Sequence, residues 1–88
     1  MGNKELTRLK QYCVTADLQE KQFLLKCCTD VDEAIADDLY CTLVTNVSYD
    51  LYTNHMRYIP CGRSLFYRCR DKVILMFRDY LIEKGKWE

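Results

Sequence analysis

The 88-residue chain reads as a single all-α domain of four helices, near residues 3–28, 30–45, 48–57 and 63–83, with a long helix at its N-terminus. Three observations predict this. Apolar residues recur by threes and fours along most of the sequence, which is the spacing of a helix face. One Pro and three Gly leave little of the chain as linker. Hydrophobic residues make up 49%, too many for a disordered chain and enough for a small core at this length.

Lys4 to Cys28 reads as one long helix. Leu6, Leu9, Cys13, Ala16, Phe23 and Cys27 follow close to a seven-residue repeat. Glu20 interrupts the stripe. Val14-Thr15 has poor helix propensity, so the alternative is a break there with Thr15 capping a second segment. The stripe itself has two readings, packing within the chain and a dimer seam. Residues 1–28 are thus a candidate homodimerisation helix ahead of residues 29–88.

Thr29 is expected to cap the next helix. Thr29-Asp30-Val31-Asp32 is a capping-box variant, and Asp30, Asp32 and Glu33 suit the positive end of a helix dipole. Ala36, Leu39, Tyr40 and Leu43 form an apolar face. Asn46 closes the helix in a left-handed conformation. The acids of this segment, with Asp37 and Asp38, do not follow a calcium-loop spacing and read as a solvated helix start.

Ser48 is an N-cap for the third helix, where Tyr49, Tyr52, Thr53 and Met56 repeat at helical spacing. Ile59-Pro60-Cys61-Gly62 then breaks the pattern, since Pro60 disfavours helix at Ile59 and Gly62 is free to turn. The last helix starts at Arg63 and ends before Lys84-Gly85-Lys86. Phe66, Cys69, Val73, Met76, Phe77 and Tyr80 share one face of it. Arg63, Ser64, Tyr67, Arg68 and Asp71 fall on another. Val73 to Phe77 is apolar nearly all round and needs cover on more than one side. Two helices on a short turn, with basic and hydrogen-bonding residues opening the second, is the pattern of a DNA-reading helix-turn-helix.

The stretch SYDLYTNHMRYIPCGRSLFYRCRDK resembles the region-4 helix-turn-helix of sigma-70-type factors. It is closer still to the ArpU/RinA type of regulators encoded by phages and mobile elements. In those proteins a segment opening Ser-Tyr leads through a short turn into Arg-x-x-Phe-Tyr-Arg-x-Arg. Ser48-Tyr49 matches the opening, and Arg63, Phe66, Tyr67, Arg68 and Arg70 match the recognition motif. Thr53 stands where the family usually has Ala, and Gly62 where it often has a capping Ser. The resemblance covers about residues 30–81. It implies a transcription regulator that binds double-stranded DNA, with RNA polymerase as a further partner.

Charge distribution agrees. The net charge is zero, but residues 1–44 hold five Lys/Arg against eight Asp/Glu, and residues 45–88 hold eight against five. Between Arg57 and Arg78 there are six basic residues and one acid, Asp71. This asymmetry favours an anionic partner at the C-terminal half over a plain solvated face. Arg57, Arg70 and Lys72 are the expected phosphate contacts. Arg63, Ser64, Tyr67 and Arg68 are the expected readers of base edges. The bland alternatives are surface packing for Tyr67 and a helix ion pair with Asp71 for Arg68. The competing function is a protein-interaction module that binds a partner helix, on RNA polymerase or a phage protein, without touching DNA.

Catalysis is the weakest class, with one His and no Gly-rich phosphate loop. Cys61 beside Gly62 at a helix start is the one candidate nucleophile. No cofactor is expected. The sequence has no apolar run of membrane-spanning length and no signal-peptide pattern, so a cytoplasmic location without a membrane partner is expected. Cys13, Cys27, Cys28, Cys41, Cys61 and Cys69 then read as reduced thiols, mostly small buried hydrophobes. No C-x₂-C pair is present and His55 has no partner at ligand spacing, so no metal is expected. Trp87 is either a frayed end or an interface anchor.

Overall fold

The structure is a computed structural model that describes residues 3–55 and 58–87. Among these residues five α-helices follow one another: α1 (Asn3–Thr15), α2 (Leu18–Val31), α3 (Ala36–Thr45), α4 (Tyr49–His55) and α5 (Arg63–Glu83). A 3-10 turn, Glu33–Ile35, leads into α3. No strand occurs among the described residues, so the fold is all-α as expected. Met56 and Arg57, at the end of the expected third helix, lie outside the described residues.

The expected long N-terminal helix is two helices. Asp17 adopts an extended backbone, and its carboxylate accepts the Glu20 amide at 2.8 Å. The Glu20 carboxylate accepts the Asp17 amide in return at 3.0 Å. This reciprocal pair is a complete capping box, and it starts α2. Thr15 does not cap; its hydroxyl bonds back to the Gln11 and Tyr12 carbonyls. The apolar stripe runs through the break. Leu9, Cys13, Ala16 and Cys27 are buried within this one chain, and Leu6 and Phe23 pack on the same core. Of the two readings of the stripe, packing within the chain is the one these burials show.

Thr29 likewise lies inside α2, with its hydroxyl bonded to the Leu25 carbonyl. Asp32 takes the expected capping role: its amide closes α2 on Cys28, and its carboxylate accepts the Ala34 amide at 3.0 Å. Asn46 ends α3 at φ 53°, the left-handed geometry expected of it. At the end of α5, Gly85 sits at φ 75° and Lys86 donates back to the Leu81 carbonyl at 2.8 Å. A side chain at Gly85 would be strained by that φ alone.

α2 packs against both α3 and α5, and α1 covers the same two helices. The α5 residues Phe66, Cys69, Arg70, Val73, Ile74, Phe77 and Leu81 are buried, spaced by threes and fours. They meet Leu9, Leu24, Leu39 and Leu43, all with no exposed surface. Phe23 stacks on Tyr80 at 4.0 Å between ring centroids. The chain's last turn is tied down as well. Lys86 bonds the buried Glu20 carboxylate at 2.9 Å, and the Tyr12 hydroxyl donates to the same carboxylate at 2.6 Å. Trp87 meets Tyr12 edge-on at 6.0 Å, under the Arg8 guanidinium. It is an anchor rather than a frayed end.

Candidate nucleic-acid interface

α4 and the first half of α5 form the candidate site, and aromatic side chains set their relation. Ser48 caps α4 as expected, accepting the Leu51 amide at 3.2 Å. The Tyr49 amide, one of the orphan donors of that helix end, goes to the Tyr67 hydroxyl on α5 at 3.0 Å. The Tyr49 hydroxyl donates to the Cys61 carbonyl at 2.8 Å. Its ring lies 5.3 Å from that of Phe66. One residue thus joins the start of α4, the turn and α5. Tyr52 fastens α4 to α3 through a buried 2.7 Å bond to Asp38. Ile59, fully buried, roots the connection in the core.

The expected DNA-contacting residues separate into groups. Arg63, Ser64, Arg68 and Lys72 are exposed on the opening three turns of α5. Arg63 pairs with Asp50 at 2.9 Å, but both side chains are more than half exposed, so the pair is worth well under ~1 kcal/mol. Arg68 and Lys72 make no ion pair with a described residue, and the alternative Arg68–Asp71 pair does not form. Arg57 lies outside the described residues.

Tyr67 and Arg70 are placed differently from expectation. Tyr67 is half-buried, with its hydroxyl committed to the α4 amide. Arg70, expected at a phosphate, is 3% exposed. Its guanidinium donates to the Val47 carbonyl at 3.5 Å and lies 5.4 Å over the Tyr67 ring. Its Nε has no hydrogen-bond partner among the described residues, and burial pulls its pKa down. Arg70 sits at i+4 from Phe66 and i−4 from Ile74, both fully buried, so it falls on the core face. Both residues orient α4 and the α3–α4 joint rather than face solvent.

Apolar exposure on α5 escaped the sequence reading. Leu65, Leu75 and Ile82 are 45%, 38% and 44% exposed. Leu65 and Asp71 lie among the basic residues of the first three turns, and Leu75, Asp79, Ile82 and Glu83 make the second half of the outer face mixed, so its positive character ends near Lys72.

Elsewhere, Arg8, Tyr12, Gly85, Lys86 and Trp87 line an open cavity of about 350 Å³. Its Lys86 is already paired with Glu20 and Asp17. The described residues contain no cluster of three or more metal-ligating side chains. All six cysteines are free. Burial pushes Cys13 and Cys28 up to about 12 and Cys27 to about 11. It raises Cys61 as well, opposite to what a nucleophile needs. No described helix is long and apolar enough to cross a membrane. The chain matches no protein-family model, no curated protein and no solved structure.

Proposed function

We propose that the chain is a cytoplasmic, sigma-region-4-like transcription regulator of the ArpU/RinA kind, meeting double-stranded DNA with the first three turns of α5. The observation that supports this most is the joint exposure of Arg63, Ser64, Arg68 and Lys72 on one end of a helix anchored by its opposite face. Arg63 to Lys72 spans about 14 Å at ~1.5 Å per residue, a length that fits along a major groove. Arg63, Ser64 and Arg68 are the base readers in this reading, and Lys72 a phosphate contact. Tyr67 and Arg70 act as positioning residues. Arg63 gives up only the exposed Asp50 pair on reaching DNA.

Selection of bound duplexes from a random pool tests the reading. A recovered motif is expected, weakened by Arg68→Ala by ~1–3 kcal/mol at one position. Lys72→Ala should weaken binding to all sequences alike and reduce the salt slope by about one phosphate. Recovery of no motif at low salt would refute DNA reading. It would favour the second function, a protein-interaction module with a surface such as that of RNA polymerase. The exposed Leu65, Leu75 and Ile82 are the observation behind that second reading.

A further inference from the structure

The centre of the exposed arc of α5 is a seven-residue repeat. Leu65, Arg68, Lys72, Leu75, Asp79 and Ile82 alternate by threes and fours, the spacing of a coiled-coil seam. All six are exposed, Asp79 with 74% of its side chain free. They run about 25 Å along the helix at ~1.5 Å per residue. None of them serves the core, which α5 fills from its other side.

We infer that this face pairs with the same face of a second copy of the chain, with the two α5 helices antiparallel. In the register centred between Val73 and Ile74, Leu65 meets Ile82 of the second copy. Arg68 then meets Asp79, and Lys72 meets Leu75, whose apolar surface the lysine stem covers. The second half of the seam repeats these layers by twofold symmetry, as an isologous interface requires. The charge pattern selects this arrangement. A parallel pairing sets Arg68 against Arg68 and Lys72 against Lys72. Sliding the antiparallel pair by one repeat in one direction sets Arg68 against Lys72. Sliding it in the other leaves Leu65 and Arg68 without a layer. Like charges face to face are costly, so one register remains. It also accounts for the three exposed apolar residues and for the reversal of charge along the helix.

The seam is small, so the dimer is weak and depends on concentration. It shares Arg68 and Lys72 with the proposed DNA contact, so a second copy and a duplex compete for α5. The inference does not rest on DNA binding, and its test uses the protein alone.

Sedimentation velocity over a concentration series should show monomers passing to dimers. Arg68→Glu faces Asp79, and Asp79→Lys faces Arg68, so each variant alone should stay monomeric with unchanged helical circular dichroism. An equimolar mixture of the two restores both opposite-charge layers and should dimerise again. A wild-type chain monomeric up to its solubility limit overturns the inference and assigns the face to another occupant. So does a wild-type dimer that either single change leaves intact, or a mixture that stays monomeric. Arg68→Asp with Asp79→Arg poses the same question should a first variant lose helicity.

Discussion

Tyr67→Phe separates a positioning role from a reading role. The substitution keeps the ring, and with it the contacts to Phe66 and Tyr49 and the place under the Arg70 guanidinium. It removes one acceptor, the hydroxyl that takes the Tyr49 amide at 3.0 Å. Ser48 holds the Leu51 amide independently, so α4 loses one of its two side-chain caps rather than both. The stranded amide is half-buried, and water replaces part of the lost bond. The cost therefore falls at the lower end of the range for an unmade hydrogen bond, ~1 kcal/mol. For a domain of this size that lowers Tm by roughly 4–8 °C. Thermal melting followed by circular dichroism measures it. On the proposed function, a DNA motif selected well below Tm should be that of the wild type. An unchanged Tm together with an altered motif would refute the reasoning, because the hydroxyl would then be facing bases and not the α4 backbone.

Arg70→Met should alter stability by no more than ~1 kcal/mol, since a buried cation with an unbonded Nε is exchanged for an apolar side chain of similar length; urea melts check this, and the salt slope of DNA binding should not change. Glu20 is governed first by burial, which would raise its pKa, but the Tyr12 hydroxyl, the Asp17 amide and Lys86 outweigh burial and hold it low. A folded pKa below the unfolded value of ~4.3 gives stability that is complete above that pH and lost as pH falls through the folded value. Glu20→Gln should cost ~1–3 kcal/mol at neutral pH and nothing in strong acid, so the two stability–pH curves should converge there. Phe66→Ala, at a site with no exposed surface, should cost ~3–5 kcal/mol and remove the proposed DNA binding only through unfolding. A thiol reagent should label Cys41 first in the folded protein, with Cys13, Cys27, Cys28 and Cys69 released together on unfolding; early labelling of Cys13 would contradict its burial.

α5 was the most legible element, because a run of apolar residues spaced by threes and fours followed a Pro and preceded a Gly. Its observed bounds, Arg63–Glu83, are those expected. Ser48 and Asn46 were equally readable from local chemistry. The α1–α2 break was not, because the apolar stripe keeps its phase across it: Cys13, Ala16 and Cys27 all reach the core. The signal was present in Asp17 and Glu20, three residues apart. By sequence Glu20 reads as an interruption, since nothing local shows that a carboxylate would be buried against Tyr12 and Lys86. Thr29 misled for the opposite reason. Its capping pattern is real, but its hydroxyl found a carbonyl inside a helix that had not yet ended. Arg70 illustrates how charge biases a reading toward the surface, although its spacing from Phe66 and Ile74 already put it on the core face. Arg63, Ser64, Arg68 and Lys72 are the expected contact residues that the fold leaves exposed.

The four buried thiols make folding and oxidation parts of one process. Cys13, Cys27, Cys28 and Cys69 share the core with leucines and phenylalanines, and burial holds the first three in the protonated, unreactive form. Every global opening exposes them together, in a chain loose enough for any pair to meet. Under oxidant, each excursion becomes an opportunity for a cross-link between mismatched thiols, which would hold the chain open. Unfolding is then a one-way step whose rate, not its equilibrium, sets the lifetime of the native protein. With a reductant present the same excursion is reversible. The core therefore behaves as a recorder of past openings: the fraction of chains trapped after a fixed exposure to oxidant counts how often the domain has come apart.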